Sequence, residues 1–184
     1  MKTARLFAAL ASAAFVLSLP ALAAQQSPAQ RPPALDDATI VAIFDAANTR
    51  DMAHGQLAME RGTTPDVRDF GAMLVRDHER VRQLGRDLAA KLHVTPTPPA
   101  DPRADRDDAR AVRALRAAKG AAFDTAFARF ERDYHNTVID DIHERLLPAI
   151  KNAELRALVV QVEPAFKGHL LGAEALLERL KKAK

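Results

Sequence analysis

The chain has 184 residues, is 48% hydrophobic and 5% aromatic, and carries a net charge of +3. This length supports one domain with a substantial core, and the abundance of Ala, Leu and Arg favours helices over sheet. The small net charge argues against nucleic-acid binding. The absence of cysteine excludes disulfides, thiolate zinc sites and a lipid-modified cysteine.

The first residues have the layout of a secretory signal peptide. Lys2 and Arg5 precede an apolar run, Leu6–Leu19, and Ala21-Leu22-Ala23 supplies small residues for cleavage after Ala23. The apolar run is short for a membrane span of about 20 residues, which disfavours an uncleaved anchor. Cleavage would leave 25 basic and 24 acidic residues, a net charge of +1. We therefore expect a periplasmic or secreted protein with a disordered lead-in over residues 24–35, and any envelope association would be peripheral.

The first two helices are predicted to form an antiparallel hairpin. Helix one runs from Asp36 or Asp37 to Arg61, and Gly62 ends it. Thr64-Pro65-Asp66 then supplies an N-cap, a proline at the first helical position and an acidic residue for helix two. Such a short link places the two helices side by side in opposite directions.

Ionisable residues interrupt the apolar stripes of both helices. In helix one, Asp51 and His54 fill two steps of a three-and-four rhythm that is otherwise marked by Ile40, Phe44, Ala47 and Ala58. In helix two, Asp77 and His78 fall within a stripe that consists of Val67, Phe70, Leu74, Val81, Leu84, Leu88 and Leu92. We expect these four polar side chains to point towards the core.

A long connector separates this hairpin from a second pair of helices. Residues 94–102 contain four prolines, and Ala104–Lys119 is predicted to form a short surface helix. Helix three, about Ala121–Leu147, would then run parallel to helix two, and helix four would occupy about Asn152–Leu180 with Asn152 as its cap. One long crossover is typical of ferritin-type bundles. The sequence therefore predicts an all-α, ferritin-like four-helix bundle over residues 36–184, with a short extra helix in its crossover.

Polar residues of all four helices are expected at one height. Asp51 lies about 12 residues before the first turn and His78 about 15 after it, which places them within about one helical turn of each other. The predicted buried face of helix three runs through Phe123, Phe127, Phe130, Tyr134, Val138 and Ile142. His135 lies near the middle of this helix, on the flank of that face, and His169 takes a step in the stripe of helix four. The candidate residues of this layer are Asp51, His54, Asp77, His78, His135 and His169.

Two explanations of this layer stay open. Imidazole and carboxylate are the ligands of iron, manganese or zinc, and Asp51-x-x-His54 has the spacing of the acid–histidine pairs in di-iron bundles. Asp77 could act as an outer carboxylate partner of a metal-bound histidine. Alternatively, the histidines and aspartates hydrogen-bond one another and fix the register of the helices. No nucleophile–base pair or oxyanion feature is visible, so no catalytic residue is assigned. A catalytic function is therefore the less favoured hypothesis.

The remaining ionisable groups are predicted to face water. His93 ends helix two, where a cation suits the helix dipole, and His143 is predicted to be exposed. The run Arg103–Arg110 mixes both signs of charge, which predicts a solvated face and not a phosphate site.

Three stretches of the chain resemble a bacterial exported family catalogued as domain of unknown function 4142. They are Gly55-Gln56-Leu57-Ala58 followed by Pro65–Phe70 and Asp77-His78; Gly120–Asp124 followed by His135; and Glu163-Pro164 followed by His169-Leu170. The resemblance implies a ferritin-like fold and a periplasmic or outer-membrane location, and it places Asp77, His78, His135 and His169 at recurring polar positions. Members of that family tend to carry two glutamates in helix one, where this chain has Asp51 and Ala53.

Three hypotheses about function follow. The first is an exported, non-catalytic protein with a buried His/Asp layer and a role in the envelope or in stress tolerance. The second is a metal-binding protein, or a di-metal oxidase-like one, that uses iron, manganese or zinc. The third is an interaction module that recognises a partner through the arginine-rich segment Arg103–Arg116. The sequence identifies no partner.

Overall fold

Helices form wherever the sequence predicts them. A computed structural model describes residues 35–183, so the expected leader, residues 1–23, and all of the lead-in except Leu35 lie outside the described residues. The helices are α1 (Asp37–Arg61), α2 (Pro65–Lys91), α3 (Arg103–Ala117), α4 (Ala121–Asp141), α5 (Leu147–Ala149) and α6 (Ala153–Lys182). Residues 35–183 contain no strand, and none of their helices is long and apolar enough to cross a membrane.

The helix boundaries follow from their caps. The side chain of Asp36 accepts a hydrogen bond from the backbone N–H of Thr39, and Thr64 and Asn152 cap α2 and α6 in the same way. Helix three differs from the expectation, because α-helical geometry ends at Asp141 and a π-helical turn, Ile142–Leu146, leads into α5. Pro148 lies just beyond this turn, and its missing N–H and bulky ring disfavour a regular α-helix there.

Two glycines bring α1 and α2 into close contact. A Cβ atom added to Gly55 would lie 2.5 Å from the carbonyl oxygen of Gly71, and one added to Gly71 would lie 2.6 Å from the carbonyl oxygen of Gly55. The two backbones can approach this closely only because neither residue has a side chain. Gly55 directly follows His54, so the close approach lies beside the predicted polar layer.

The crossover returns the chain along α1. The backbone N–H of Thr97 donates to the carbonyl oxygen of Ala38 near the start of α1, and Arg61 at the end of α1 donates to the carbonyl oxygen of Arg116 in α3. Helix α4 therefore starts beside the α1–α2 turn and runs parallel to α2. The predicted ferritin-like four-helix bundle with an extra helix in its crossover is confirmed; α1, α2, α4 and α6 form the bundle.

A polar layer divides the apolar core into two halves. One half packs around Ile40, Phe44, Val81, Ile142, Leu155, Val159 and Phe166, and the other around Leu57, Val67, Phe70, Leu74, Phe123, Phe127, Ala173 and Leu176. Each fully buried Leu or Phe side chain contributes roughly 1.5–3 kcal/mol to folding. These two halves supply the apolar packing of the bundle, and the polar layer lies between them.

Candidate metal centre

The layer between the two apolar halves takes side chains from all four bundle helices. It consists of Asp51 and His54 on α1, His78 on α2, Glu131 and His135 on α4, and His169 on α6. None of these six residues is more than 3% exposed. We call them the central layer.

The central layer contains two groups whose ligand atoms converge. One ligand atom each from His78, His135 and His169 lie within 4.8 Å of one another, and the same holds for Asp51, His54 and Glu131. We call the first group the histidine cluster and the second the acidic cluster. Each group combines residues from different helices, which the bundle topology brings together.

Two histidines are held from outside the layer by carboxylates. Nε2 of His54 donates to Asp108 Oδ1 at 2.8 Å, and Nε2 of His169 lies 3.2 Å from Asp77 Oδ2. Because a carboxylate accepts but does not donate, the outer nitrogen of each ring carries the proton. The Nδ1 atom of each ring is then an unprotonated acceptor that faces the layer.

The other two histidines are held by carbonyl oxygens. Nδ1 of His78 donates to Asn48 Oδ1 at 2.8 Å, and the amide group of Asn48 in turn donates to the backbone oxygen of Phe44, which fixes the orientation of that amide. Nδ1 of His135 donates to the backbone oxygen of Glu131 at 3.0 Å. In both rings Nε2 is therefore the unprotonated atom, and it too faces the layer.

Every inward-facing atom of the layer is thus an acceptor. Among residues 35–183, seven buried side-chain atoms lack a hydrogen-bond partner, and all seven belong to the central layer: Asp51 Oδ1, His54 Nδ1, His78 Nε2, both carboxylate oxygens of Glu131, His135 Nε2 and His169 Nδ1. Nε2 of His78 lies 3.1 Å from Asp51 Oδ2, but the two are not aligned for a hydrogen bond. Acceptors that face acceptors repel one another unless a cation or a proton lies between them.

Burial raises the pKa of both acids in the layer. Burial raises the pKa of Asp51 to about 8, and the carboxylate of Asp108 adds to this shift. Burial, followed by the negative charge of Asp51, raises the pKa of Glu131 well above its ordinary value. Without a cation, a proton held by one of these carboxyl groups supplies the donor that the pair otherwise lacks.

Burial lowers the pKa of three histidines in the layer. Burial and the neighbouring imidazoles lower the pKa of His78 to about 2 and that of His135 to about 3. Burial also lowers the pKa of His169, although Asp77 opposes the shift. These rings are therefore neutral at pH 7 and present the lone pairs that a metal ion needs.

The structure places five of the six predicted residues inside the layer and moves one to its edge. Asp51, His54, His78, His135 and His169 are buried, whereas the side chain of Asp77 is 31% exposed and contacts the layer only through His169. The buried face of α2 passes through His78 and leaves Asp77 on its flank.

The prediction for His135 was wrong in one respect, because the residue lies at the centre of its buried face and not on the flank. The buried positions of α4 include Phe123, Phe127, Glu131 and His135, which follow one another in steps of four. The predicted stripe through Phe130 and Tyr134 was rotated by about one residue. That error also hid Glu131, which the step of four from Phe127 would have indicated.

The prediction that Arg103–Arg110 is a solvated face was wrong for Asp108. Its neighbours Asp107 and Arg110 pair with each other at the surface, but Asp108 turns inwards onto His54. No sequence periodicity could have shown this contact, because it depends on how the crossover lies against α1.

The two remaining histidines lie outside the layer. His93 is exposed beyond the end of α2, with a φ angle of 54°. His143 is half exposed, and its Nε2 lies 2.8 Å from Glu163 Oε1.

The fold and this layer define a class of protein: an all-α, ferritin-like bundle with converging histidines and carboxylates in its core. Within that class, the chain belongs to the family described as "Domain of unknown function (DUF4142)", whose profile matches residues 22–176. A similar solved structure is the crystal structure of a DUF305 fragment from Deinococcus radiodurans, with 16% identity and a TM-score of 0.68, covering 77% of this chain and 95% of that one. At this identity the likeness concerns the fold alone. No curated protein matches the chain.

Proposed function

We propose that this protein is a metal-binding protein that holds an iron, manganese or zinc ion in its central layer. The first ligands are the ring nitrogens of the histidine cluster, His78, His135 and His169. The proposal concerns binding, and it assigns no reaction to the site.

The orientation of the four histidines supports this proposal most strongly. Each ring has one nitrogen held by an acceptor other than the side chains of the layer, and the other nitrogen is turned inwards without a partner. Metal-bound histidines are oriented in this way, with an outer carboxylate, carbonyl or similar acceptor that fixes the tautomer. Four rings from four helices that all follow the same rule are hard to explain by packing alone.

The spacing of the histidine cluster suits a first-row transition metal. Metal–nitrogen bonds of about 2.0–2.1 Å in tetrahedral geometry place ligand nitrogens about 3.4 Å apart. The three ligand atoms lie within 4.8 Å of one another, so small side-chain movements would bring them to bonding distance. Neutral imidazole suits zinc and iron, and the neighbouring carboxylates extend the choice to manganese.

A purely structural polar layer explains the contacts less well. Such a layer would have to pair its own donors and acceptors, as buried polar groups normally do. Here the N–H groups of the rings are used on outer partners, which leaves seven acceptor atoms facing inwards. Protons on Asp51 and Glu131 could fill part of this deficit, but two protons cannot serve seven atoms.

Elemental analysis of reconstituted protein tests the proposal. The purified protein is stripped with a chelator, loaded separately with Zn²⁺, Mn²⁺ or Fe²⁺, and freed of unbound metal. We expect stoichiometric binding of at least one of these ions, lost in the double variant His78→Ala/His169→Ala. The variant His143→Gln is a matched control, because that histidine lies outside the layer, and it should bind as the wild type does. Protein that stays metal-free with all three ions would refute the proposal.

We further propose that the mature protein works outside the cytoplasm, with residues 1–23 removed as a leader. This proposal rests on the basic start, the short apolar run and the small residues that end at Ala23. Cell fractionation with N-terminal sequencing should find mature protein that begins at Ala24 in the periplasm or medium. Full-length chain in the cytoplasm would contradict it.

A further inference from the structure

The unpaired atoms of the central layer fall into two sets. Three belong to the histidine cluster: His78 Nε2, His135 Nε2 and His169 Nδ1. The other four belong to the acidic cluster: Asp51 Oδ1, His54 Nδ1 and both carboxylate oxygens of Glu131. An ion held by the histidine cluster would leave the second set without partners.

When its carboxyl groups are ionised, the acidic cluster carries a negative charge that its surroundings do not balance. The carboxylates of Asp51 and Glu131 are 1% and 0% exposed, and every ion pair that either one makes within residues 35–183 is with a histidine of the layer. No Lys or Arg side chain of the described residues reaches them. Two buried carboxylates without a cationic partner are strongly unfavourable, and a divalent cation would balance their charge.

Asp51 lies between the two clusters. Its Oδ2 atom is 3.1 Å from His78 Nε2 and 3.4 Å from His135 Nε2, so it faces the histidine cluster. Its Oδ1 atom has no hydrogen-bond partner, and one of its carboxylate oxygens lies within 4.8 Å of ligand atoms of His54 and Glu131. A carboxylate that reaches the ligand atoms of both clusters is placed to bridge two ions.

We propose that the central layer holds two divalent cations at unlike positions, one in the histidine cluster and one in the acidic cluster, with the carboxylate of Asp51 shared between them. The inference rests on the proposed metal-binding function and adds a second position to it. Because the acidic cluster has two carboxylates and one imidazole, it suits a harder ion such as Mn²⁺ better than the histidine cluster does.

Metal stoichiometry separates this inference from the proposed function. Chelator-stripped protein is equilibrated with Zn²⁺ alone, Mn²⁺ alone and both together, and bound metal is counted by elemental analysis. We expect two ions per chain in the wild type and one in Glu131→Gln. The control Glu163→Gln also removes a glutamate of low exposure, but that glutamate already pairs with His143 and Lys167, so it should keep two ions.

Each outcome has one meaning. One ion in both the wild type and Glu131→Gln would overturn the second position and leave the proposed function standing. Two ions in both proteins would overturn the assignment to the acidic cluster, and no ion in the wild type would overturn both proposals.

Electron paramagnetic resonance gives a test that needs no variant. A Mn²⁺ pair that shares a carboxylate should give an exchange-coupled spectrum at full loading, whereas the six-line spectrum of isolated Mn²⁺ at full loading would overturn the shared Asp51.

Discussion

Helix α4 carries two fully buried carboxylates that differ in their hydrogen bonding. Asp124, in its first turn, accepts hydrogen bonds from the backbone N–H of Thr63, at 2.9 Å, and from the hydroxyl of Thr63. Glu131, two turns further on, has no donor for either oxygen among the described residues. Both are 0% exposed. One buried carboxylate of this helix therefore accepts hydrogen bonds at both oxygens, whereas the other accepts none.

The difference lies in what surrounds each group. Asp124 faces a turn, where free backbone N–H groups are available and the helix N-terminus favours a negative charge. Glu131 faces the bundle interior, where the backbone N–H groups are used within the helices. Nδ1 of His54, 3.5 Å from Oε1, is an acceptor, and Nδ1 of His135, 3.6 Å from Oε2, donates to a backbone oxygen instead. Buried polar groups normally have hydrogen-bond partners, so the lack of donors around Glu131 supports the proposal that the layer holds a cation.

Metal loading should give Glu131 a cationic partner, and we expect it to have the largest effect on the stability of the protein. With free Zn²⁺ or Mn²⁺ at about a thousand times its dissociation constant, binding to the folded state alone adds about 4 kcal/mol of stability. For a domain of this size that corresponds to a rise in Tm of roughly 8–16 °C. Calorimetry of stripped and loaded protein measures it. An equal rise in His78→Ala/His169→Ala would mean that the ion binds elsewhere.

Replacing Glu131 or Asp124 by its amide should change the free energy of unfolding in opposite directions. In chelator-treated protein at pH 8.5, Glu131→Gln should increase the free energy of unfolding by about 1–2 kcal/mol, because its amide adds donors among acceptors. Asp124→Asn should decrease it by about 1 kcal/mol, because charge-assisted hydrogen bonds and a helix-dipole interaction weaken. Urea unfolding measures both. A loss of stability in both variants would mean that Glu131 has satisfied contacts like those of Asp124.

The metal-free protein should lose stability as the pH rises through the raised pKa of Asp51. An acid with a folded-state pKa of about 8 keeps its proton in the folded protein after the unfolded chain has lost it. Its stabilising contribution is therefore complete below the ordinary pKa of 3.8 and is lost progressively as the pH rises from there through about 8. The neutral histidines contribute almost nothing in this range, since they are uncharged in both states. Between pH 7 and 9 we expect a loss of about 1.5 kcal/mol in urea unfolding with chelator present. Asp51→Asn should flatten the profile, and an unchanged slope in that variant would assign the effect to other groups.

The smallest expected effect concerns the outer partner of His54. Asp108→Asn weakens the hydrogen bond that holds the ring, so the affinity of the acidic cluster for Mn²⁺ should fall about tenfold. Asp107→Asn is the matched control, because that neighbouring carboxylate pairs with Arg110 at the surface. Competition with a fluorescent chelator measures both affinities. Equal affinities in the two variants would show that Asp108 does not position His54.

Much of the fold can be predicted from the sequence because its signals are local. The caps Asp36, Thr64 and Asn152, the break at Gly62 and the proline-rich crossover set the helix ends and the topology. The convergence of Asp51, His54, His78, His135 and His169 also follows, because residue counts from each turn give the height of a residue in an antiparallel hairpin.

The missing parts of the site depend on non-local geometry. Asp108 enters through the path of the crossover, and Asn48 is recognisable as a partner only when His78 is seen beside it. Glu131 was within reach of the sequence, but Phe130 and Tyr134 drew the predicted stripe to the wrong side of α4. Aromatic residues mark a partly buried flank as readily as a core, and here they pack on the ring of His54 at its edge.

The most direct measurement is anomalous diffraction at the zinc edge from crystals of the zinc-loaded protein. We expect an anomalous peak inside the bundle, about 2.0–2.1 Å from the inward nitrogens of His78, His135 and His169. The outer ring nitrogens should still be bound to Asn48, the backbone of Glu131 and Asp77. Zinc found only at surface carboxylates, with the three rings hydrogen-bonded to one another instead, would contradict it.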